Sequence, residues 1–335
     1  MSRCNIGIIK AQLAASCDQY EEPPSTRHII PNINTDFQVE VVSDLDVCKR
    51  LFNIFSPKDS LFSTWNFRFA WFKPGITKPF FFLFLQNQKP KALLPLWFDA
   101  NRERFEWFGS DWQENNSFWT LDKSLISLML DVAPKKTYLN AIRTNDESLI
   151  KLLNLQPDDP KFELDLTNLK TSDDFLARFD KKKRYNLKRD RQDLIDQGIE
   201  IIYNRFEDIH ELIRFANCRF NDQSLWTPHI VTAFENLVKN QTNEYQMEML
   251  SFKVGHMMAG YDLNFIYNKT YSAVKCGYNV QTFPGIGNFA TLTDIDQALK
   301  HGCTKMDFLQ SVGALTTRPW KADWFTTIPL YKIEK

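Results

Sequence analysis

The sequence predicts an α/β chain of two domains, each mixing strands with helices. Three observations predict it. The chain has 335 residues, enough to bury a sizeable core and long for a single domain. Short apolar strand-like runs, such as Phe80-Phe81-Phe82-Leu83-Phe84-Leu85, alternate with segments of helical spacing. Each half also follows one order of helices, a strand meander, then a helix and a strand, although no residue-level repeat links the halves.

Taken in order, Glu21-Glu22-Pro23-Pro24 and Pro31 mark an irregular tail over residues 1–34, because prolines remove donors and their polar neighbours bury nothing. A first domain is expected over 35–157. Its strands are 37–42, 80–86, 91–98, 104–108 and 136–142, and its helical segments 44–55, 61–72, 121–132 and 147–153. The proline-acid cluster Gln156-Pro157-Asp158-Asp159-Pro160 is the best boundary. The second domain, 158–335, opens with a strand at 161–166 and one long helix at 172–197, capped by Thr171 or Ser172 and closed by Gly198. A strand at 199–203 and helices at 209–219 and 229–240 follow. Then come three antiparallel strands turning at Gly255-His256 and Asn268-Lys269, a helix at 288–300 and a strand at 305–309.

Composition narrows the function classes. Forty-one basic and forty-one acidic residues give zero net charge, which removes any global electrostatic argument for a nucleic-acid coat protein or a polybasic membrane binder. The apolar runs are too short to span a bilayer. Cys4, Cys17, Cys48, Cys218, Cys276 and Cys303 are scattered with no C-x-x-C pair, so neither a zinc site nor a disulfide framework is expected, and reduced cytoplasmic thiols are the default. Ala14-Ala15-Ser16-Cys17 loosely resembles a lipoprotein cleavage site, with its Leu one place too early.

Two constellations carry chemistry. The first is the turn Phe283-Pro284-Gly285-Ile286-Gly287 before the helix that begins at Asn288. Pro284 presets a helix-compatible angle and the glycines leave the backbone bare. A helix start of this kind presents unpaired N–H groups and a positive dipole end to an anion such as a pyrophosphate. A turn built for geometry alone is the plain alternative. The second is Lys181-Lys182-Lys183-Arg184-Tyr185-Asn186-Leu187-Lys188-Arg189-Asp190-Arg191, seven basic residues against one acid. Lys181, Arg184, Lys188 and Arg191 share a helical face that suits phosphates or another anionic ligand, a solvated face being the alternative.

The second domain resembles the acetyltransferase domain of the CelD-like, or BioF2-like, branch of the GNAT superfamily, related to the FemAB peptidoglycan-bridge transferases. The matching pieces are the basic helix before Gly198, Arg219-Phe220 where the family usually shows Arg-Trp, the hairpin around Gly255, and Phe283-Pro284-Gly285. Met306-Asp307-Phe308-Leu309 and Trp320-Lys321 with Trp324 complete the set. The similarity covers roughly residues 162–330, and Leu94-Pro95-Leu96 extends it upstream. It implies two tandem GNAT-like domains with mixed, mostly antiparallel sheets, and transfer of an acyl group, acetyl from acetyl-CoA, to an amine or hydroxyl of a saccharide-like acceptor in envelope or exopolysaccharide metabolism. Gln281, Phe283, Pro284, Gly285, Ile286, Gly287 and Asn288 then hold the donor, and Arg184, Lys188, Arg219, Trp320, Lys321 and Trp324 the acceptor. Two departures stand out: position 282 is Thr where the family's loop has Gln or Arg, and Asp323 stands where it tends to carry Arg.

Acyl transfer needs the acceptor deprotonated as it attacks the thioester, donors for the oxyanion, and an acid for the leaving thiolate. Asp307 is the candidate base and Tyr278 a candidate acid, each with a structural alternative as a satisfied acceptor or a packed ring. No His–Cys spacing or Ser-His-Asp order stands out, so a metal site and a hydrolase triad are not expected. Two other functions fit the same residues: an aminoacyl-tRNA-dependent transferase like the FemAB relatives, and a non-catalytic glycan- or nucleotide-binding protein that retained the fold.

Overall fold

The computed structural model describes residues 37–110, 112–220, 228–240, 242–311 and 313–335. The expected tail, with Cys4, Cys17 and the lipoprotein-like run, lies outside them, as do Asp111 and Val312. The chain forms two compact units. One takes the chain up to Lys58, Phe72–Asp158 and Leu330–Lys335; the other takes Asp59–Trp71 and Asp159–Pro329. Two exchanges therefore separate these units from a single cut after residue 157.

The first unit begins with β1 (Phe37–Val42) and α1 (Leu45–Phe55), whose N-cap Asp44 accepts the Val47 N–H at 2.9 Å. The chain then enters the second unit through α2 (Trp65–Phe69). Sequence spacing suggested one helix over 61–72; a 3₁₀ turn and this short helix form instead. Aromatic packing places the segment: Phe67 meets Phe265 at 5.4 Å between ring centroids and Trp71 meets Phe234 at 5.4 Å. Back in the first unit, β2 (Thr77–Gln86) and β3 (Lys89–Asp99) turn at Asn87 and Gln88, both with positive φ as a two-residue hairpin requires. Then follow β4 (Arg104–Trp107), β5 (Trp119–Thr120), α3 (Leu125–Val132), β6 (Tyr138–Ile142) and α4 (Glu147–Leu152). The sheet runs β1-β2-β3-β4 with β5 on β3. Its core joins Phe80, Phe82 and Phe84 to Leu94, Leu96 and Met129.

The second unit is built on most of β7 (Gln156–Asp165), α5 (Ser172–Leu176), α6 (Lys181–Asp196), β8 (Ile199–Tyr203), α7 (Ile209–Phe220), α8 (Pro228–Lys239), β9 (Gln246–Val254), β10 (Met257–Tyr267), β11 (Thr270–Tyr278), α9 (Ile286–Lys300), β12 (Lys305–Gln310) and the first residues of β13 (Thr326–Glu334). The single helix expected over 172–197 is two. Thr171 and Asp174 close a capping box on α5, and Asp180 starts α6 afresh by accepting the Lys183 N–H at 2.8 Å. Strand β13 has no counterpart in the sequence reading, and its last residues pair with β6 in the first unit's part of the chain (Tyr331 with Ile142, Glu334 with Tyr138).

The sheet order is β13-β7-β12-β11-β10-β9-β8. Only β11 and β12 pair in parallel among the registers described, joined by the α9 crossover. Helix α9 is buried along Ile286, Phe289, Leu292, Ile295 and Ala298, and its close is set by Gly302 at φ 68°. On α7, backbone approaches β11 closely: a Cβ on Gly277 would meet the Ala216 nitrogen at 2.6 Å and the Leu212 oxygen at 2.9 Å. Gly277→Ala is therefore expected to cost about 1–3 kcal/mol, read as a lower melting temperature, since backbone atoms cannot step aside as a side-chain tip can. An unchanged melting temperature would mean that α7 slides freely on the sheet.

Candidate functional site

The parallel pair β11–β12 opens almost at once. Thr270, Tyr271 and Ser272 pair with Lys305, Met306 and Asp307, and the ladder stops there although β11 continues to Tyr278 and β12 to Gln310. Beyond Ser272, β11 stays paired with β10 on one side and has no register with β12 on the other. Strand β12 bends away at Leu309, a buried residue at φ 60°, where its register with β7 also shifts. A non-glycine residue in that region is strained and needs its surroundings to hold it. Lys321 does so from a 3₁₀ turn (Trp320–Asp323), its ammonium donating to the Phe308 carbonyl at 2.5 Å and the Gln310 carbonyl at 3.4 Å. The sequence put Lys321 in acceptor binding; the structure places it on the backbone of β12.

Asp307, the expected base, is buried and held on both oxygens. It is 3% exposed; one oxygen accepts the Leu309 N–H at 3.0 Å and the other takes the buried Lys161 ammonium at 2.5 Å. Each Asp307 oxygen thus has a donor inside the unit. Tyr278, the expected acid, is also held internally. Its hydroxyl donates to Asp262 at 2.5 Å inside the unit, and its ring lies against Gly260, where a Cβ would come within 2.5 Å of it. Burial, reinforced by the Asp262 carboxylate, holds the Tyr278 hydroxyl well above its ordinary range.

Beneath α9 lies a layer of acids that sequence reasoning missed. Asp262 and Asn264 of β10, Glu248 of β9 and Asp294 of α9 are each no more than 5% exposed. Asn264 donates to Asp294 at 2.9 Å, Tyr271 donates to Glu248 at 2.8 Å, and His301 meets the other Glu248 oxygen at 3.0 Å. Burial pushes the Asp262 carboxyl up to about 7. Burial, then the Asp262 and Glu248 charges, raises Asp294 well above the usual carboxylate range. One Asp262 oxygen and the Asn264 side-chain oxygen have no hydrogen-bond partner. Asp294 carries no local mark in the sequence, since Thr291, Thr293 and Gln297 of the same helix are polar and buried too.

The turn into α9 forms largely from the expected residues. Phe283 is buried and donates to the Asn279 carbonyl at 3.0 Å, Ile286 is buried, and Pro284 and Gln281 face solvent. Thr282, where the related loop carries Gln or Arg, gives its N–H to the Asn279 side chain at 3.1 Å. Gly285 is the N-cap at φ 84°, a conformation that favours glycine, and no side chain caps the helix start. Helix α6 comes close here. A Cβ on Gly285 would sit 2.9 Å from the Cβ of Asp190, and the Asn288 amide donates to Asp190 at 3.1 Å.

The basic face is partly spoken for. Arg191 meets Asp296 at 3.4 Å and Lys188 meets Asp173 at 3.1 Å, while Lys181 and Lys182 are exposed and Arg184 is half-buried. Trp324 packs on Phe175 and Phe179, with Lys183 above the Phe179 ring at 4.3 Å. Trp320, next to it at 5.5 Å, remains 46% exposed. The side chain of Arg219 lies outside the described residues. A surface pocket of about 250 Å³ opens beside β7, lined by Pro160, Phe162, Leu315, Arg318 and Thr327. Among the described residues there is no group of three or more His, Cys, Asp or Glu side chains arranged to hold a metal ion, and no helix is long and apolar enough to cross a membrane.

Residues 181–322 match the family model for an acetyltransferase (GNAT) domain. The second unit carries a GNAT domain. The fold of the whole chain agrees with that. FemX is similar at TM-score 0.55 and 11% identity, over 88% of this chain and 95% of that one. A conserved protein of unknown function from Bacteroides thetaiotaomicron VPI-5482 is similar at 0.54 and 12%, over 88% and 99%. A tandem GNAT protein from the clavulanic acid biosynthesis pathway is similar at 0.50 and 8%, over 89% and 98%. No curated protein matches by sequence. The chain thus has the tandem GNAT acyltransferase fold, with mixed, mostly antiparallel sheets as expected. Within the GNAT domain, the β11–α9–β12 crossover holds both the split ladder and the glycine turn.

Proposed function

We propose that this protein is an acyltransferase that moves an acyl group, acetyl from acetyl-CoA, onto an amine or hydroxyl of a saccharide or cell-envelope precursor. The observation that carries the reading is the split between β11 and β12 with the uncapped α9 start at its mouth. An extended thioester arm can enter where β11 and β12 part, while its phosphates approach the N–H groups of Gly287 and Asn288. The acceptor nitrogen or oxygen attacks the thioester carbon, the carbon–sulfur bond breaks, and the acceptor's proton passes to water as the thiolate leaves. Asp307 and Tyr278 act here by fixing the two walls of the split. Exposed Trp320 and the pocket at Arg318 offer a stacking face and a cation to a saccharide-like acceptor.

Isothermal titration with acetyl-CoA is expected to give saturable heat, and single-turnover acetylation should follow with an amino-sugar acceptor. No heat at millimolar acetyl-CoA would end this reading. The Asp190 carboxylate beside Gly285 favours a second one, in which the donor brings no pyrophosphate to that turn, as with an aminoacyl-tRNA. Exposed Lys181 and Lys182 would then meet the RNA backbone, and binding of tRNA that weakens steeply with salt is its test. Saccharide binding with no transfer from any donor would instead indicate a fold retained for binding alone.

A further inference from the structure

A thiol stands where β11 and β12 part. Cys276 lies on β11 beyond Ser272, where the ladder with β12 stops, and it is exposed although the next two residues, Gly277 and Tyr278, are buried. Its partner across the antiparallel ladder is Asp262 of β10, just as Gly260 is the partner of Tyr278. Side chains paired in this way share one face of the sheet, with Cβ atoms about 5 Å apart. The start of α9 borders that face: a Cβ on Gly287, in the first turn, would lie 3.7 Å from the Tyr278 ring.

Asp262 offers this thiol a proton acceptor. Its carboxyl is 1% exposed; Tyr278 donates to one oxygen, and the other has no hydrogen-bond partner. An open acceptor this deeply buried leaves a desolvation cost unmet until a donor reaches it. The thiol directly across the ladder is such a donor, and a carboxyl pushed up by burial to about 7 can take a proton and return it near neutral pH.

We infer that Cys276 is an acylation site: its sulfur takes the acyl group from the donor thioester, Asp262 takes the thiol's proton, and the acyl group is held as an enzyme thioester for the acceptor. This role rests on the acyl-donor reading of the split and divides the transfer into two displacements. In the first, the Cys276 sulfur bonds to the donor's carbonyl carbon, the donor's carbon–sulfur bond breaks, and the proton on Asp262 passes to the leaving thiolate. In the second, the acceptor attacks the Cys276 thioester, Cys276 leaves as the thiolate, and water takes the acceptor's proton and returns one to the sulfur. One thioester replaces another before the final transfer, so neither an oxidant nor a reductant is needed.

The test is incubation of the full chain, without acceptor, with radiolabelled acetyl-CoA and, separately, with S-acetyl-N-acetylcysteamine, a thioester that carries neither nucleotide nor phosphate. Acid quenching and peptide mapping locate the label, and release by neutral hydroxylamine identifies a thioester. Cys276 is expected to gain a single acetyl group at least about tenfold faster than Cys218, the other exposed thiol among the described residues. The label should be missing from that peptide in Cys276→Ala, and Asp262→Asn, checked by thermal unfolding, should slow its gain about a hundredfold. Cys276 left unlabelled by both thioesters, labelled no faster than Cys218, or labelled equally fast in Asp262→Asn would overturn the assignment. Calorimetric titration reports on the donor separately. Heat from acetyl-CoA with no label on Cys276 keeps the donor reading and removes the enzyme thioester; labelling by the short thioester with no heat from acetyl-CoA keeps Cys276 and removes acetyl-CoA as the donor.

Discussion

Replacing Asp262 by Asn is expected to make the protein more stable above pH 7 and to flatten its stability between about pH 4 and pH 7. Asp262 is 1% exposed, and the groups around it are acids or hydroxyls: Tyr278 donates to it from β11, Asp294 approaches from α9, and Glu248 adds its charge from β9 through Asp294 and Tyr271. His301 meets Glu248 and lies against the Tyr271 ring, at the far end of the chain of contacts. With no Lys or Arg contact to offset it, burial pushes the Asp262 carboxyl up to about 7. In the unfolded chain the same carboxyl titrates near its ordinary value of about 4. Between those two values the folded state binds more protons than the unfolded state, so stability is greatest in acid and falls as pH rises. A shift of about three pH units corresponds to about 4 kcal/mol at most, and relaxation of the site reduces it. Asp262→Asn removes the titration, retains an oxygen for Tyr278, and supplies an N–H where one Asp262 oxygen lacks a partner. A gain of about 2–3 kcal/mol at pH 8, with little change at pH 4, is expected from urea unfolding at the two pH values. A pH-independent parent would refute the buried, protonated state of Asp262.

That acid layer also shows how far sequence reading reaches in this chain. Tyr261-Asp262-Leu263-Asn264-Phe265 alternates as a half-buried strand does, and alternation correctly separates the two faces. It cannot tell which face is wet. Here a second layer, α9, covers the polar side as well, so Asp262 and Asn264 are buried by an element some thirty positions downstream. Strands with Phe-rich or alternating runs and helices with caps were legible because their signals are local: Asp44 starts and Gly198 ends its element as expected. Asp180 was overlooked because the pattern on either side of it is continuous, and only its side chain's bond to the Lys183 N–H breaks the helix. Asp190 was visible as the one acid among seven bases, yet its meaning depends on Gly285, ninety-five positions away in sequence and adjacent in space. For the site, then, the turn itself was readable, while the groups that decide its chemistry come from other elements and leave no local trace.

The largest loss of stability is expected from Lys161→Met. Lys161 is 1% exposed on β7 and its ammonium meets Asp307 at 2.5 Å and Glu163 at 3.4 Å. Taking the cation away leaves Asp307 buried without its ion pair, a change that typically costs about 3–5 kcal/mol, whereas exchanging both partners for apolar groups is often close to neutral. Lys161→Met alone should therefore unfold at much lower urea, and Lys161→Met combined with Asp307→Leu should regain most of the difference apart from what the Leu309 N–H loses. The pair sits where the β11–β12 ladder ends, with Asp307 also holding Leu309 in its strained conformation, so local disorder at this point would widen the split. The expected signature is a variant that binds acetyl-CoA more weakly at temperatures well below its melting point, and a double variant in which folding returns but donor binding does not. Asp307→Asn separates this role from catalysis: it leaves Lys161 only the Glu163 carboxylate at 3.4 Å and should lower stability in proportion to any lost activity. If Asp307→Asn instead abolished transfer with unfolding unchanged, Asp307 would be the base after all, reaching its substrate through a rearrangement of the Lys161 contact.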